Sequence, residues 1–230
     1  MAAMPLITII TIITIMTDMA LLRLMTWLSP AFPVGAYTYS HGLESAIEQG
    51  WIRDRASLAD WLGNLLDHGG PRNDAIFIKA VFDGHDIAML DELACAFQAT
   101  MELRAESTGQ GRAFMRALRQ VWPDPVFEAN GERAYPLAVG LAARTAGIAP
   151  RATIQAYLNA FVANLVSAAV RAIPLGQTDG LVVLAAFEPV ILASTETILS
   201  STLDDLGGCA MMNDIASMLH ETQHTRLFRS

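Results

Sequence analysis

From Leu43 to Leu219 the apolar residues recur three and four positions apart, the spacing that lines one face of an α-helix. Leu43 to Gln49 reads as a short helix stopped by Gly50. Ser57 is expected to cap a second helix, with Leu58, Trp61, Leu62, Leu65 and Leu66 on one face and Gly69-Gly70 as its stop. Pro71 opens the next helix at its first turn, and Gly84 ends it. A further helix begins around Asp86, and the polar run Arg104–Arg112 is expected to bend or interrupt it before Phe114, Met115 and Leu118 resume the stripe. Pro123 and Pro125 bound a predicted loop that runs to Glu132. Helical spacing returns from Tyr135 to Arg144, then from Thr153 to Ala172 as a buried central helix, and again from Leu181 to Ser201 with a kink expected at Pro189. Periodicity alone thus predicts an all-α single domain of roughly eight to ten helices.

The two ends read differently. Residues 1–20 are expected to form a flexible extension. Their first seventeen alternate Ile and Thr without a Lys or Arg, which fits neither a secretory signal nor, broken at Asp18, a membrane span of about 20 residues. A start-codon artefact or a disordered arm is the expectation, with the domain proper covering 21–206. After the Gly207-Gly208 linker, residues 207–230 form a C-terminal tail with a helical stretch near Ile215–Leu219.

Composition narrows the classes. Apolar residues make up 53% and charged residues 17%, which favours extensive self-packing or a large partner interface. The net charge of −8 argues against nucleic acid and anionic membranes as partners, because the phosphate-neutralising charge is missing. Cys95 and Cys209 stand far apart without a CxxC, as expected of two reduced, buried thiols in a cytosolic protein.

Candidate chemistry is sparse. No GxxxxGK[ST] is present, and Gly109-Gln-Gly111 sits in a helical pattern, where a kink or a close helix contact explains it better than phosphate binding. His220 and His224 form HETQH, which matches a zincin spacing, yet no third ligand or packed second shell accompanies it. Ser40 and His41 are adjacent without a GxSxG elbow, and His41 with Glu44 suits a capping pair more than acid–base work. The chain therefore reads as a non-enzyme with no cofactor. More telling is SPAFPVGAYTYSHGLE at Ser29–Glu44, where two prolines, a glycine, two tyrosines and a His–Glu pair look like a built surface. At the other end Arg226-Leu227-Phe228-Arg229 is too apolar for a free tail, and either docks on the protein's own core or orders on a partner.

Five blocks in order give the chain a family resemblance: SPAFPVGAYTYSHGLE, RAESTGQGRAF at Arg104–Phe114, YPLAVGLAA at Tyr135–Ala143, NLVSAAVRAIPLGQTDG at Asn164–Gly180 and DIASMLHETQHTRLFRS at Asp214–Ser230. Together they resemble the urease accessory protein UreF family. The resemblance implies an all-α, dimeric, non-enzymatic adaptor that bridges the accessory protein UreD (UreH in some organisms) and the GTPase UreG on apo-urease during nickel insertion. It further implies partner contacts through Pro33, Tyr37, Tyr39, His41 and Glu44 of the opening segment and through Arg171, Gln177 and Asp179 around Pro174. His220, Thr222, Arg226, Leu227, Phe228 and Arg229 of the tail join them, with removal of 222–230 expected to leave helical content intact. Arg112 or Arg171 are candidates for an arginine supplied to UreG. The alternative is a protein that carries nickel itself on His220, His224 or His41.

Overall fold

The computed structural model describes residues 18–230. The expected N-terminal extension lies outside the described residues except for 18–20, which already belong to a helix, α1, over 18–27. Among the described residues the regular structure is helical throughout, with no strand. After α1 and the proline-rich segment come α2 (Leu43–Glu48), α3 (Arg55–His68), α4 (Gly70–Asp83), α5 (Ile87–Ala96), α6 (Met101–Val121), α7 (Pro125–Asn130), α8 (Tyr135–Thr145), α9 (Pro150–Ala172), α10 (Gln177–Ser200) and α11 (Met211–His220). Single 3₁₀ turns occupy Ala36–Thr38 and Leu203–Asp205.

The core gathers around α4, α8 and α9. The run Pro136–Ala143 of α8 is buried on every side, and Gly140 lets α4 come so close that a Cβ would sit 3.3 Å from Val81. Thus α8, richer in alanine and glycine, is buried more completely than α9, the helix the apolar run singled out. α9 packs against α4 and α10 and buries Ile154, Leu158, Val162 and Leu165. Phe114 of α6 anchors an aromatic cluster, meeting Trp27 at 6.2 Å and Tyr135 at 5.8 Å between ring centroids, both edge to face. α10 covers α9 but keeps Leu181, Val182 and Leu192 exposed.

Four local expectations change, the first being that neither cysteine is buried: Cys95 is half-buried and Cys209 exposed. Asp54, not Ser57, caps α3: it accepts the Ser57 N–H at 2.8 Å while the Ser57 hydroxyl accepts the Asp54 N–H at 3.1 Å, a reciprocal capping box. The polar run Arg104–Arg112 does not interrupt a helix. The break comes earlier, at Phe97–Thr100, where Thr100 caps α6, and α6 then runs unbroken to Val121. Its glycines mark close approach: a Cβ on Gly111 would fall 1.9 Å from the Arg133 carbonyl oxygen of the chain entering α8. Within the predicted 123–132 loop, Asp124 caps α7 and Pro125 occupies its first turn.

Candidate functional site

The opening segment and the C-terminal residues meet in one seam. Gly35 takes a left-handed conformation (φ 72°) and starts the 3₁₀ turn Ala36–Thr38. His41 (φ 52°) and Gly42 (φ 75°) then turn the chain sharply into α2. His41 is the one non-glycine with positive φ among the described residues, a conformation that costs energy and must be held by its surroundings. Its Nε2 lies 2.9 Å from Glu106 of α6, and its ring meets Phe161 of α9 edge to face at 4.8 Å. Gly42 is required sterically as well, because a Cβ would sit 2.7 Å from the Ser217 amide of α11.

Beyond α11 the chain reverses over Glu221–Thr225, and Arg226–Ser230 returns as a strap along the opening segment. Of the two readings of this terminus, docking on the protein's own core is the one observed: Phe228 and Ser230 are buried. The Glu44 carboxylate accepts the Leu227 N–H at 2.7 Å and the Phe228 N–H at 3.0 Å. Arg229 donates its N–H to the Thr38 carbonyl at 2.8 Å. The Ser230 carbonyl accepts both the N–H and the hydroxyl of Ser40, while the Ser230 hydroxyl reaches Glu106 at 2.6 Å. The bonds to the Glu44 and Glu106 carboxylates are charge-assisted and stronger than neutral ones, and they satisfy groups that burial would otherwise leave costly.

His220 ties the strap to α6. Fully buried, it sets Nδ1 2.6 Å from Glu102 and Nε2 3.3 Å from Glu44, so both ring nitrogens are occupied. Arg226 completes the junction through Glu102 at 2.6 Å and the Gln223 and Glu221 carbonyls at 2.8 and 2.5 Å. Glu221 accepts the Met101 N–H at 3.0 Å, placing a carboxylate at the positive end of α6. From α9, Arg171 donates to the Tyr37 carbonyl at 3.0 Å and lays its guanidinium 4.6 Å from the centre of the Phe228 ring.

Titration behaviour follows from this burial. Burial acts most strongly on His41 and opposes its charge, but the charge of Glu106, its hydrogen bond and Asp74 together raise the imidazole above its ordinary value. Burial pushes Asp74 up to about 6 against the hydrogen bond it accepts from Tyr157 at 2.7 Å. Tyr157 rises well above its ordinary range for the same reason, with Asp74 adding to the effect.

The structure gathers most of the expected contact residues and separates the rest. Tyr37, Tyr39, His41, Glu44, Arg171, His220, Arg226, Leu227, Phe228 and Arg229 share the seam. Tyr37 and Leu227 stand out from it, 58% and 72% exposed. Pro33 is exposed beside it, Tyr39 faces Gly109 with its hydroxyl, and Thr222 is exposed on the reversal. Arg112 lies elsewhere, paired with Glu132 at 2.9 Å, and Gln177 and Asp179 open α10, with Asp179 3.4 Å from Arg55. The His41–Glu44 pair does not form: His41 engages Glu106, and Glu44 engages the strap. The HETQH spacing also dissolves, because α11 ends at His220 and leaves His224 on the exposed reversal. Glu102, Glu106 and Ser230 were not singled out by sequence. Two acids on successive turns of α6, facing a terminus rich in donors, were the available signal.

Comparison with known proteins agrees with the ordered blocks. The UreF family model matches residues 52–188. The chain is 49% identical to the urease accessory protein UreF of Rhodopseudomonas palustris (strain HaA2), covering 92% of this chain and 94% of that protein. The namesake of Methylorubrum populi is 46% identical over 91% of this chain and 98% of its own, and that of Xanthobacter autotrophicus 49% identical over 92% and 91%. A family-model match over more than half its length and relatives aligned nearly end to end establish that this chain belongs to the UreF family of urease accessory proteins.

Proposed function

We propose that this chain is a non-enzymatic, homodimeric cytoplasmic adaptor that bridges UreD (UreH) and the GTPase UreG on apo-urease during nickel insertion. Family membership supports the urease-maturation setting. The observation that carries the adaptor reading is the seam itself: a proline-stiffened loop and a returning strap locked by buried carboxylates, with Tyr37, Leu227 and Arg229 held outward. A surface already ordered in the free protein lowers the entropy lost on binding. UreD is expected at the seam and UreG elsewhere. Arg112, exposed and in a surface ion pair, is freer than Arg171 to serve as an arginine supplied to UreG, since Arg171 is committed to Tyr37 and Phe228.

The seam offers little support to the alternative of nickel carried on tail histidines, because Glu44 and Glu102 occupy both nitrogens of His220. Co-purification tests the adaptor reading. Tyr37→Ala with Leu227→Glu should abolish recovery of UreD while thermal unfolding stays unchanged; full recovery of UreD would refute the assignment. Single-turnover GTP hydrolysis by UreG with the Arg112→Ala variant tests the arginine, and an unchanged rate would remove it.

A further inference from the structure

We propose that the seam carries a pH-dependent latch: protonated His41 holds the left-handed turn on which the strap closes, and a small polar cavity beside that turn connects it to solvent.

The latch is built on one carboxylate. Glu106 is buried, with one oxygen 2.9 Å from both His41 Nε2 and Gln110 Nε2 and the other accepting the Ser230 hydroxyl at 2.6 Å. A single side chain thus grips both the turn and the end of the strap. Ser40 donates its N–H and its hydroxyl to the Ser230 carbonyl, so the strap closes on backbone whose direction the next residue, His41, sets. A left-handed conformation outside glycine has to be held by its surroundings, and the contact with Glu106 is the polar hold on this one. A neutral imidazole can still donate to Glu106, but the bond then loses its charge assistance. Glu106 and Asp74 are left as neighbouring buried anions without the imidazolium between them.

The cavity, of about 60 Å³, lies where α3, α4, α11 and residues 97–99 converge on the turn. His41 and Asp74 line it, together with His68 of α3 and Asp214 of α11. Asn213 lines it as well; it is 5% exposed, and its side-chain oxygen has no protein partner among the described residues. Room for a few water molecules, ringed by several polar groups, gives protons a path to a residue packed beneath the strap.

The groups facing His41 set the direction of the response. Burial opposes its charge, but Glu106 of α6 and Asp74 of α4 outweigh burial and raise the imidazole above its ordinary value of 6.5. From α9, Phe161 faces the ring without charge, and Tyr157 donates to Asp74. Glu44 of α2 is taken up by His220 and the strap. A group raised on folding stabilises the folded arrangement below its unfolded value, and that contribution fades as pH rises through the folded value. The strap is therefore held most firmly below pH 6.5 and loosens above it.

Amide hydrogen exchange on the full chain, corrected for the intrinsic pH dependence of exchange, tests the latch. Protection of the Phe228 and Arg229 amides should fall roughly tenfold or more between about pH 6 and about pH 9, with α8 unchanged. In His41→Gln, which keeps a donor for Glu106 but does not titrate, protection should be equal at both pH values. A fall that persists in that variant assigns the response to His220 and overturns the latch, as does a parent chain whose strap protection ignores pH. An NMR titration of the His41 ring in the parent chain needs no variant. Its midpoint should lie above 6.5 and coincide with the loss of strap protection; a midpoint well apart from that loss would contradict the proposal.

Discussion

The α4–α8–α9 core and the strap seam are both buried, yet they are held by opposite means. In the core, small and aliphatic side chains interlock, and α8 offers no polar side chain between Pro136 and Ala143. In the seam, Glu44, Glu102, Glu106, His41, His220 and Arg226 meet in a space where unpaired charge would be costly. The core tolerates any residue of suitable volume, whereas the seam works only when every donor finds its acceptor. The first kind of packing makes a fold. The second specifies one arrangement of a surface, and so sits where recognition is proposed.

Substitutions can disturb one of these regions and spare the other. The largest loss belongs to the core: Phe114→Ala, which removes a fully buried ring from its contacts with Trp27 and Tyr135, should cost about 3–5 kcal/mol in urea unfolding. Glu44→Ala strands the Leu227 and Phe228 N–H groups and one face of His220, for about 2–3 kcal/mol. Its signature is local, with hydrogen exchange faster in 226–230 than in α8. Truncation before Thr222 should likewise lower the melting temperature, since it uncovers Glu44 and Glu106.

Next comes Asp74→Asn, whose effect depends on pH. The native carboxyl, at about 6 against an unfolded value of 3.8, binds protons more tightly than the unfolded chain. Native stability from this group is therefore present below the unfolded value and falls as pH rises towards 6. An asparagine in its place would keep an acceptor for Tyr157 without the buried charge. The variant should gain about 3 kcal/mol at pH 7.5 and nothing near pH 3.5, measured by denaturant titration. A gain of equal size at both pH values would contradict the buried-charge explanation. Smallest for stability is Tyr37→Ala, expected within about 0.5 kcal/mol of the parent because the ring is exposed.

How much of this was legible in the sequence depends on the range of the interaction. Helix stops at Gly50, Gly69-Gly70 and Gly84 were readable because a glycine or proline acts on its own neighbourhood. Asp54 was missed as a cap because Ser57 fits the same local rule, and only the reciprocal bond distinguishes them. The run Arg104–Arg112 looked like an interruption because its glycines weaken a helix locally, whereas Gly111 admits the Arg133 backbone from far along the chain. The seam was half legible. Its rigid loop and its unusual terminus were each visible, but their pairing joins positions 44 and 228, and no periodicity encodes that distance. The apparent metal pair failed for a related reason, since spacing of four residues implies a shared face only while the helix continues, and α11 ends at His220.

A seam that serves as a preorganised partner surface must be separable from the fold beneath it. Quantitative binding of UreD to the full chain, parent against Tyr37→Ala/Leu227→Glu, tests this most directly when melting is recorded on the same samples. Binding should weaken by roughly a hundredfold or more with the melting temperature unchanged. Equal affinity for both chains would contradict the proposed role of the seam.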